Sequence, residues 1–235
     1  MNPHPSPDHS ETVSVEARYA RRVPHDPRYS LLNPAALLPM QERQRAVLAL
    51  FKRLGWTDLS EKTLLEVGCG TGGNLLELVW MGFLPKHLSG IELLAERYAV
   101  ARERLPDAVD LRLGDASALG VAPASVDIVL QATVFSSLLD DAFQQRLADA
   151  MWAAVKPGGG VLWYDFTYDN PRNPDVRGVP VRRLKTLFPQ ARIRVQRLTL
   201  APPITRAVTR IHPSLYGLFN TFPALRTHVL AWLGK

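Results

Sequence analysis

The sequence predicts an α/β protein built on a parallel sheet with helices on both faces. Three observations predict it. Strand-length and helix-length segments alternate from about residue 60 onward, the strand segments are apolar throughout, and the first of them runs into a glycine cluster. A strand with one solvated face alternates polar and apolar residues, so an all-apolar strand must be covered on both sides.

Composition bounds the alternatives. At 235 residues the chain predicts one large domain, or one domain with appendages. With 46% apolar and 21% charged residues it can bury a full core, which excludes a wholly disordered chain. No apolar run approaches the ~18 residues of a membrane span. The first residues lack the apolar core of a signal peptide, and a lone cysteine, Cys69, cannot close an internal disulfide. A cytoplasmic protein is expected.

The elements follow in order. Residues 1–28 are rich in Pro, His, Ser and Arg without an apolar period, and are expected to be a disordered tail. Residues 29–60 are expected to form an N-terminal helical cap. Its helix, 41–54, carries Val47, Leu48, Phe51 and Leu54 on one face and stops at Gly55. Strands are expected at 63–67, 88–91, 109–113, 126–130 and 161–164. Helices are expected at 74–81, 95–105 and 140–155, the last capped by Asp140 or Asp141. Residues 156–160, Lys-Pro-Gly-Gly-Gly, read as a turn. Beyond them come a helix at 181–188, strands at 191–200 and 226–233, and a partly helical stretch at 204–225 broken by Pro213 and Pro223.

The strongest local signal is the glycine cluster after the first strand. Gly68, Gly70 and Gly73 fit the dinucleotide spacing G-x-G-x-x-G, a weak pattern alone. Two additions shift its meaning. Glu66 stands two residues before Gly68, where a carboxylate suits a cationic or amine-bearing ligand better than a pyrophosphate. Gly114 and Asp115 close the third strand. Glu92, ending the second strand, is placed to accept two ribose hydroxyls, with a helix-terminus acid as the plainer reading.

These residues carry a resemblance. Glu66 to Gly72, then Gly90, Ile91 and Glu92, then Gly114, Asp115 and Ala116, then Val126 to Val129, and last Lys156 to Gly160, resemble in order the class I S-adenosylmethionine-dependent methyltransferase family, most like its bacterial small-molecule and glycan-pathway members. The resemblance covers residues 60–170. It implies a Rossmann-like, doubly wound sheet of seven strands, six parallel and the last antiparallel, in a domain spanning 61–235 with a basic helical insertion at about 201–225. It also implies S-adenosyl-L-methionine as cofactor. Gly68, Cys69, Gly70 and Gly72 would pass under it, with Glu66 near its ammonium and Glu92 on its ribose. Asp115 and Ala116 would hold the adenine edge, Leu93 an adenine face, and Gln131 would stand near the methionine end. Tyr29 is the candidate lid, because a sulfonium favours an aromatic face. On that reading, deleting residues 1–26 spares cofactor binding and deleting 1–35 weakens it.

The acceptor is expected to meet the segments leaving strands four and five. Residues 164–177 hold two Tyr, three Asp, two Asn and two Arg, a polar set suited to a hydroxyl-rich or phosphate-bearing molecule. Asp165 is the first candidate base, with Tyr168 and Asp169 after it. The expected reaction is O-methylation of a sugar, lipid-linked glycan or small metabolite. N- or C-methylation, or a silent cofactor-binding regulatory protein, is the alternative. The six histidines are scattered, so no metal is expected. No Asn-Pro-Pro-Tyr-type motif follows strand four, so nucleic acid is not the expected acceptor.

Charge is divided along the chain. Residues 176–235 carry 11 Lys or Arg and no acid, although the whole chain is only +6. An anionic partner is expected for that end: an anionic acceptor, or peripheral contact with the inner face of a membrane. In the expected topology the connection 201–225, with Arg206 and Arg210, emerges beside the active site.

Overall fold

The alternation becomes a seven-stranded sheet in the computed structural model, which describes residues 7–21, 26–118, 120–171 and 173–235. The strands are β1 (Leu64–Val67), β2 (Leu88–Glu92), β3 (Asp110–Leu113), β4 (Val126–Ala132), β5 (Val155–Phe166), β6 (Arg192–Leu200) and β7 (Arg226–Gly234), in the spatial order β3-β2-β1-β4-β5-β7-β6. Six are parallel and the last is antiparallel. The helices are α1 (Pro7–Ala20), α2 (Pro34–Arg53), α3 (Gly73–Trp80), α4 (Ala95–Arg104), α5 (Asp141–Ala154), α6 (Val181–Leu187), α7 (Pro202–Ile211) and α8 (Leu215–Asn220). Among the described residues no helix is long and apolar enough to cross a membrane.

Strand order reverses between β1 and β4, and such a reversal opens a crevice at the carboxyl ends of the strands. Register decides which residues reach that edge. Val67 pairs with Ile91 on one side and Gln131 on the other, Glu92 pairs with Leu113, and Ala132 pairs with Tyr164. Glu66, Glu92, Gln131 and Asp165 are therefore brought to one edge from four strands.

The chain divides into two compact units. The first comprises Met1–Arg21, Asp58–Arg194 and Ala231–Lys235; the second comprises Arg22–Thr57 and Val195–Leu230. This division differs from the expected one, a cap at 29–60 and one domain at 61–235. Residues 195–230 associate with α2 because both carry apolar faces that need cover. Leu200, Val208 and Tyr216 are buried there, with Leu38 and Ile204 packed against them. Within this second unit the Glu42 carboxylate accepts from Tyr216 Oη at 2.5 Å, Asn220 Nδ2 at 2.7 Å and the Thr199 N–H at 3.1 Å. In the first unit Trp163 is fully buried, 4.5 Å from the Phe135 ring centroid and 6.2 Å from that of Phe188.

Three local expectations are corrected. The tail expected to be disordered contains α1; residues 1–6 and 22–25 lie outside the described residues. Glu11, Val15 and Arg18 are its buried positions. That stripe is only one-third apolar, and its polar members bond to each other and to the chain: Arg18 Nη2 donates to Glu11 Oε1 at 2.7 Å and to the Ser137 carbonyl at 2.9 Å. A search for apolar periodicity passes over such a helix. The helix expected at 41–54 begins at Pro34, where Asn33 caps the Ala35 N–H, and it runs on through Pro39. The expected turn at 156–160 belongs to β5. There Val126 pairs with Val155 while Ile128 pairs with Gly160, so β5 carries an excess of residues as a bulge, and Gly158 takes φ +82°.

Candidate active site

The site is built on the first unit, at the carboxyl ends of β1, β2, β4 and β5. After β1 the chain turns through Gly68, Gly70 and Gly72, with φ of +65°, +59° and +80°. These angles are open to glycine and costly for other residues. The space is closed as well. A Cβ at Gly70 would lie 2.5 Å from Arg97 Nη2, and one at Gly72 would lie 2.7 Å from Leu105 Cδ1. The turn leads straight into α3, and the backbone is bare where a ligand can approach it.

Two buried carboxylates flank this turn. Glu66, on β1, is fully buried, and its Oε1 accepts from Asn74 Nδ2 at 2.5 Å. Glu92, at the end of β2, accepts the Gly70 N–H at 2.7 Å on Oε2 and the Leu94 N–H at 3.0 Å on Oε1. It thus serves the turn and the start of α4 together, and each oxygen keeps a second lone pair for a ligand hydroxyl. Between them Cys69 is buried. Burial, then the charges of Glu66 and Glu92, push its thiol far above the ordinary range, so it is no nucleophile at neutral pH.

The adenine-side candidates sit in one loop after β3. Gly114, at φ +139°, donates its N–H to the Glu92 carbonyl at 2.9 Å, and Asp115 Oδ1 accepts the Ser117 N–H at 2.8 Å. Ala116 and Leu93 are half-buried.

After β4 the chain forms a buried 3-10 turn, Phe135–Ser137. Gln131 fixes it: its Oε1 accepts the Val134 N–H at 3.1 Å. Asp165 fixes it from β5, accepting the Ser136 N–H at 3.1 Å and the Phe166 N–H at 2.9 Å. Burial raises the Asp165 carboxyl to about 7, against the pull of the Ser136, Phe166 and Gln131 hydrogen bonds. Tyr168 is 52% exposed, and Asp169 Oδ1 accepts the Gly178 N–H at 2.9 Å. Tyr29 falls in the second unit, 78% exposed, at the end of the 3-10 turn Pro27–Tyr29.

An aromatic that meets this site within its own unit is Tyr19, on α1. The Arg97 guanidinium lies 5.1 Å from its ring centroid, and its hydroxyl is 3.5 Å from Ser137 Oγ. Arg97 in turn reaches Gly70, as the close approach above records. Sequence reasoning missed both residues. Arg97 could have been found from its place in the first turn of α4, five residues after Glu92. Tyr19 carried no signal without the helix.

These residues suit S-adenosylmethionine. A cationic group balances buried carboxylates such as Glu66, hydroxyls suit the remaining lone pairs of Glu92, and a long flexible ligand needs the side-chain-free turn at Gly68–Gly70–Gly72.

Comparison with known proteins agrees with the geometry. Residues 64–159 match the methyltransferase domain family. A trans-aconitate 2-methyltransferase of Afipia carboxidovorans is 31% identical over 159 residues, covering 67% of this chain. A tRNA N(3)-methylcytidine methyltransferase of Schizosaccharomyces pombe is 28% identical over 124 residues, covering 46%. The chain spans 56% and 38% of these relatives' own lengths. The crystal structure of a geranyl diphosphate C-methyltransferase from Streptomyces coelicolor A3(2) superposes with a TM-score of 0.60 at 15% identity, over 90% of this chain and 86% of that one. Glycine turn, flanking carboxylates, sheet order and family match agree: the chain belongs to the class I S-adenosylmethionine-dependent methyltransferases.

Proposed function

We propose that the protein transfers a methyl group from S-adenosyl-L-methionine to an oxygen of a small polar acceptor, such as a sugar, a lipid-linked glycan or another metabolite. The observation that carries the cofactor half of this reading is the glycine turn held between buried Glu66 and Glu92. When bound, the cofactor supplies a methyl on a sulfonium, already activated toward displacement. The chain then has three tasks: to hold the cofactor, to align the acceptor and to exclude water.

Glu66 and Glu92 hold the cofactor's charged and hydroxyl ends. Asp115 and Ala116 take its adenine edge, Leu93 covers an adenine face, and Gln131 stands at the methionine end. Asp165 is the candidate proton acceptor. A carboxyl raised to about 7 is matched to taking a proton from a hydroxyl near neutral pH, and the Ser136 and Phe166 N–H groups fix its orientation. Tyr168 and Asp169 are the alternatives on the same segment.

The polarity of residues 164–177 supports a hydroxyl-bearing acceptor. The relative matching two-thirds of the chain is named for a small acceptor, trans-aconitate, which favours a metabolite over a macromolecule. The experiment is transfer of labelled methyl from S-adenosylmethionine into cell extract separated into small-molecule, lipid and RNA fractions. Label in the small-molecule or lipid fraction is expected. Label in RNA alone would replace the acceptor reading, and cofactor binding without transfer to any fraction would make the protein a silent binder.

A further inference from the structure

The second unit carries the charge of the molecule. It contains ten Lys or Arg against two acids, Asp26 and Glu42, a net charge of +8, which leaves the first unit at −2 of the chain's +6. Both acids are engaged: Asp26 with Arg28, its Oδ2 at 2.8 Å from Nε, and Glu42 with the interior groups named above.

Part of this charge converges on one recess. The 3-10 turn Pro27–Tyr29, the first residues of α2 and one face of α7 enclose a volume of about 350 Å3, into which Arg28, Arg206, Thr209 and Arg210 project. Arg206 and Arg210 are one helical turn apart and exposed, with no carboxylate at ion-pair distance among the described residues. The helix terminus adds no free donors. Asn33 already accepts the Ala35 N–H on its side chain and the Ala36 and Leu37 N–H groups on its carbonyl, so the recess is cationic through its side chains.

Its rim is apolar. Leu32 is 96% exposed, between the lining residues Arg28 and Asn33, and Ile211, directly after Arg210, is 79% exposed. Tyr29 and Leu31, next to Arg28 and Leu32 in the chain, are exposed as well. A site for a free anion gives no reason to hold large apolar side chains in water. A lipid bilayer explains both features: its surface phosphates meet the arginines, and its acyl boundary takes the leucine and isoleucine.

We propose that this face docks the protein on an anionic membrane, Arg206 and Arg210 of the recess receiving a lipid headgroup phosphate and Leu32 and Ile211 entering the acyl boundary. The proposal is independent of the acceptor and of methyl transfer.

The test is co-sedimentation of the full chain, at low salt, with phosphatidylcholine vesicles with and without phosphatidylglycerol. Wild-type protein is expected in the pellet only with the anionic vesicles. The double variant Arg206→Gln, Arg210→Gln should lower the partition coefficient roughly thirtyfold, from about 1 kcal/mol per basic residue at an anionic surface. Leu32→Ser with Ile211→Ser should lower it too, at unchanged charge. These side chains are exposed, so unchanged melting curves are expected for both variants and report an intact fold. Wild-type protein remaining in the supernatant overturns the proposal. So does pelleting of both variants like wild type, or a rise in melting temperature with inorganic phosphate in the absence of vesicle binding, which would make the recess a soluble-anion site. Retention on homopolymeric RNA without vesicle binding would likewise assign the face to nucleic acid.

Discussion

Glu92 holds three parts of the chain with one carboxylate: its own strand, the Gly70 N–H and the Leu94 N–H. The ligand-binding and helix-terminus readings of this residue are therefore compatible, and a variant separates their sizes. Glu92→Ala should weaken S-adenosylhomocysteine binding by about 1.5–3 kcal/mol per charge-assisted hydrogen bond lost, a tenfold to hundredfold change in calorimetry. Unchanged affinity would remove Glu92 from the ligand site. Asp165 makes a different prediction, because its carboxyl is raised in the fold to about 7 from an ordinary 3.8. The native state then holds a proton that the unfolded chain releases, so this group's contribution to stability is fully present below pH 3.8 and declines as pH rises to about 7. Asp165→Asn should flatten the fall in melting temperature across that window. If Asp165 accepts the proton in catalysis, the same variant loses turnover while cofactor affinity stays near wild type.

At the scale of elements, α1 changes what the N-terminus is for. Its Glu11 accepts the Leu139 N–H at 2.8 Å, its Arg18 donates to the Ser137 carbonyl, and its Tyr19 meets Arg97, so it braces the segment after β4 and the start of α4 together. These contacts predict the opposite of the expectation that residues 1–26 are dispensable for cofactor binding. Removal of residues 1–21 should weaken S-adenosylhomocysteine binding, and Tyr19→Ala should do so in the full-length chain with a smaller loss of stability. Equal affinity of wild type and both variants, by calorimetry, would return α1 to a packing role.

For the whole molecule, cofactor binding should appear as stabilisation, since a ligand that binds only the folded state adds about 2.7 kcal/mol at a hundred times its dissociation constant. For a domain of this size each kcal/mol is worth about 2–4 °C, so S-adenosylhomocysteine should raise the melting temperature by roughly 5–10 °C. NAD at the same concentration should leave it unchanged. A shift with NAD alone would turn the glycine turn and Glu92 into a dinucleotide site. The division of charge also belongs to this scale. Along the sequence the basic excess begins near residue 176, but in the fold it gathers in the second unit, because residues 22–57 bring six further Lys or Arg to it.

The sequence by itself determined the parallel sheet, the glycine turn and the places of Glu66, Glu92, Asp115 and Asp165 at strand ends. Each of these rests on local physics: strand-length apolar runs, glycine at positive φ, and acids at the carboxyl end of a strand. What only the tertiary structure decided depends on groups distant in the chain. α1 has too few apolar residues to be read as a helix, and Glu11 and Arg18, paired with each other, gain further partners when Ser137 and Leu139 are folded against it. Residues 156–160 look like a turn until Gly160 pairs with Ile128 of β4 and Gly158 and Gly159 bond to the backbone of Lys235. The second unit joins α2 to residues 195–230, segments well over a hundred positions apart, through buried contacts that no sequence window contains. Local preference fixes backbone conformation within a few residues, whereas burial and charge compensation are settled by which distant segment arrives alongside.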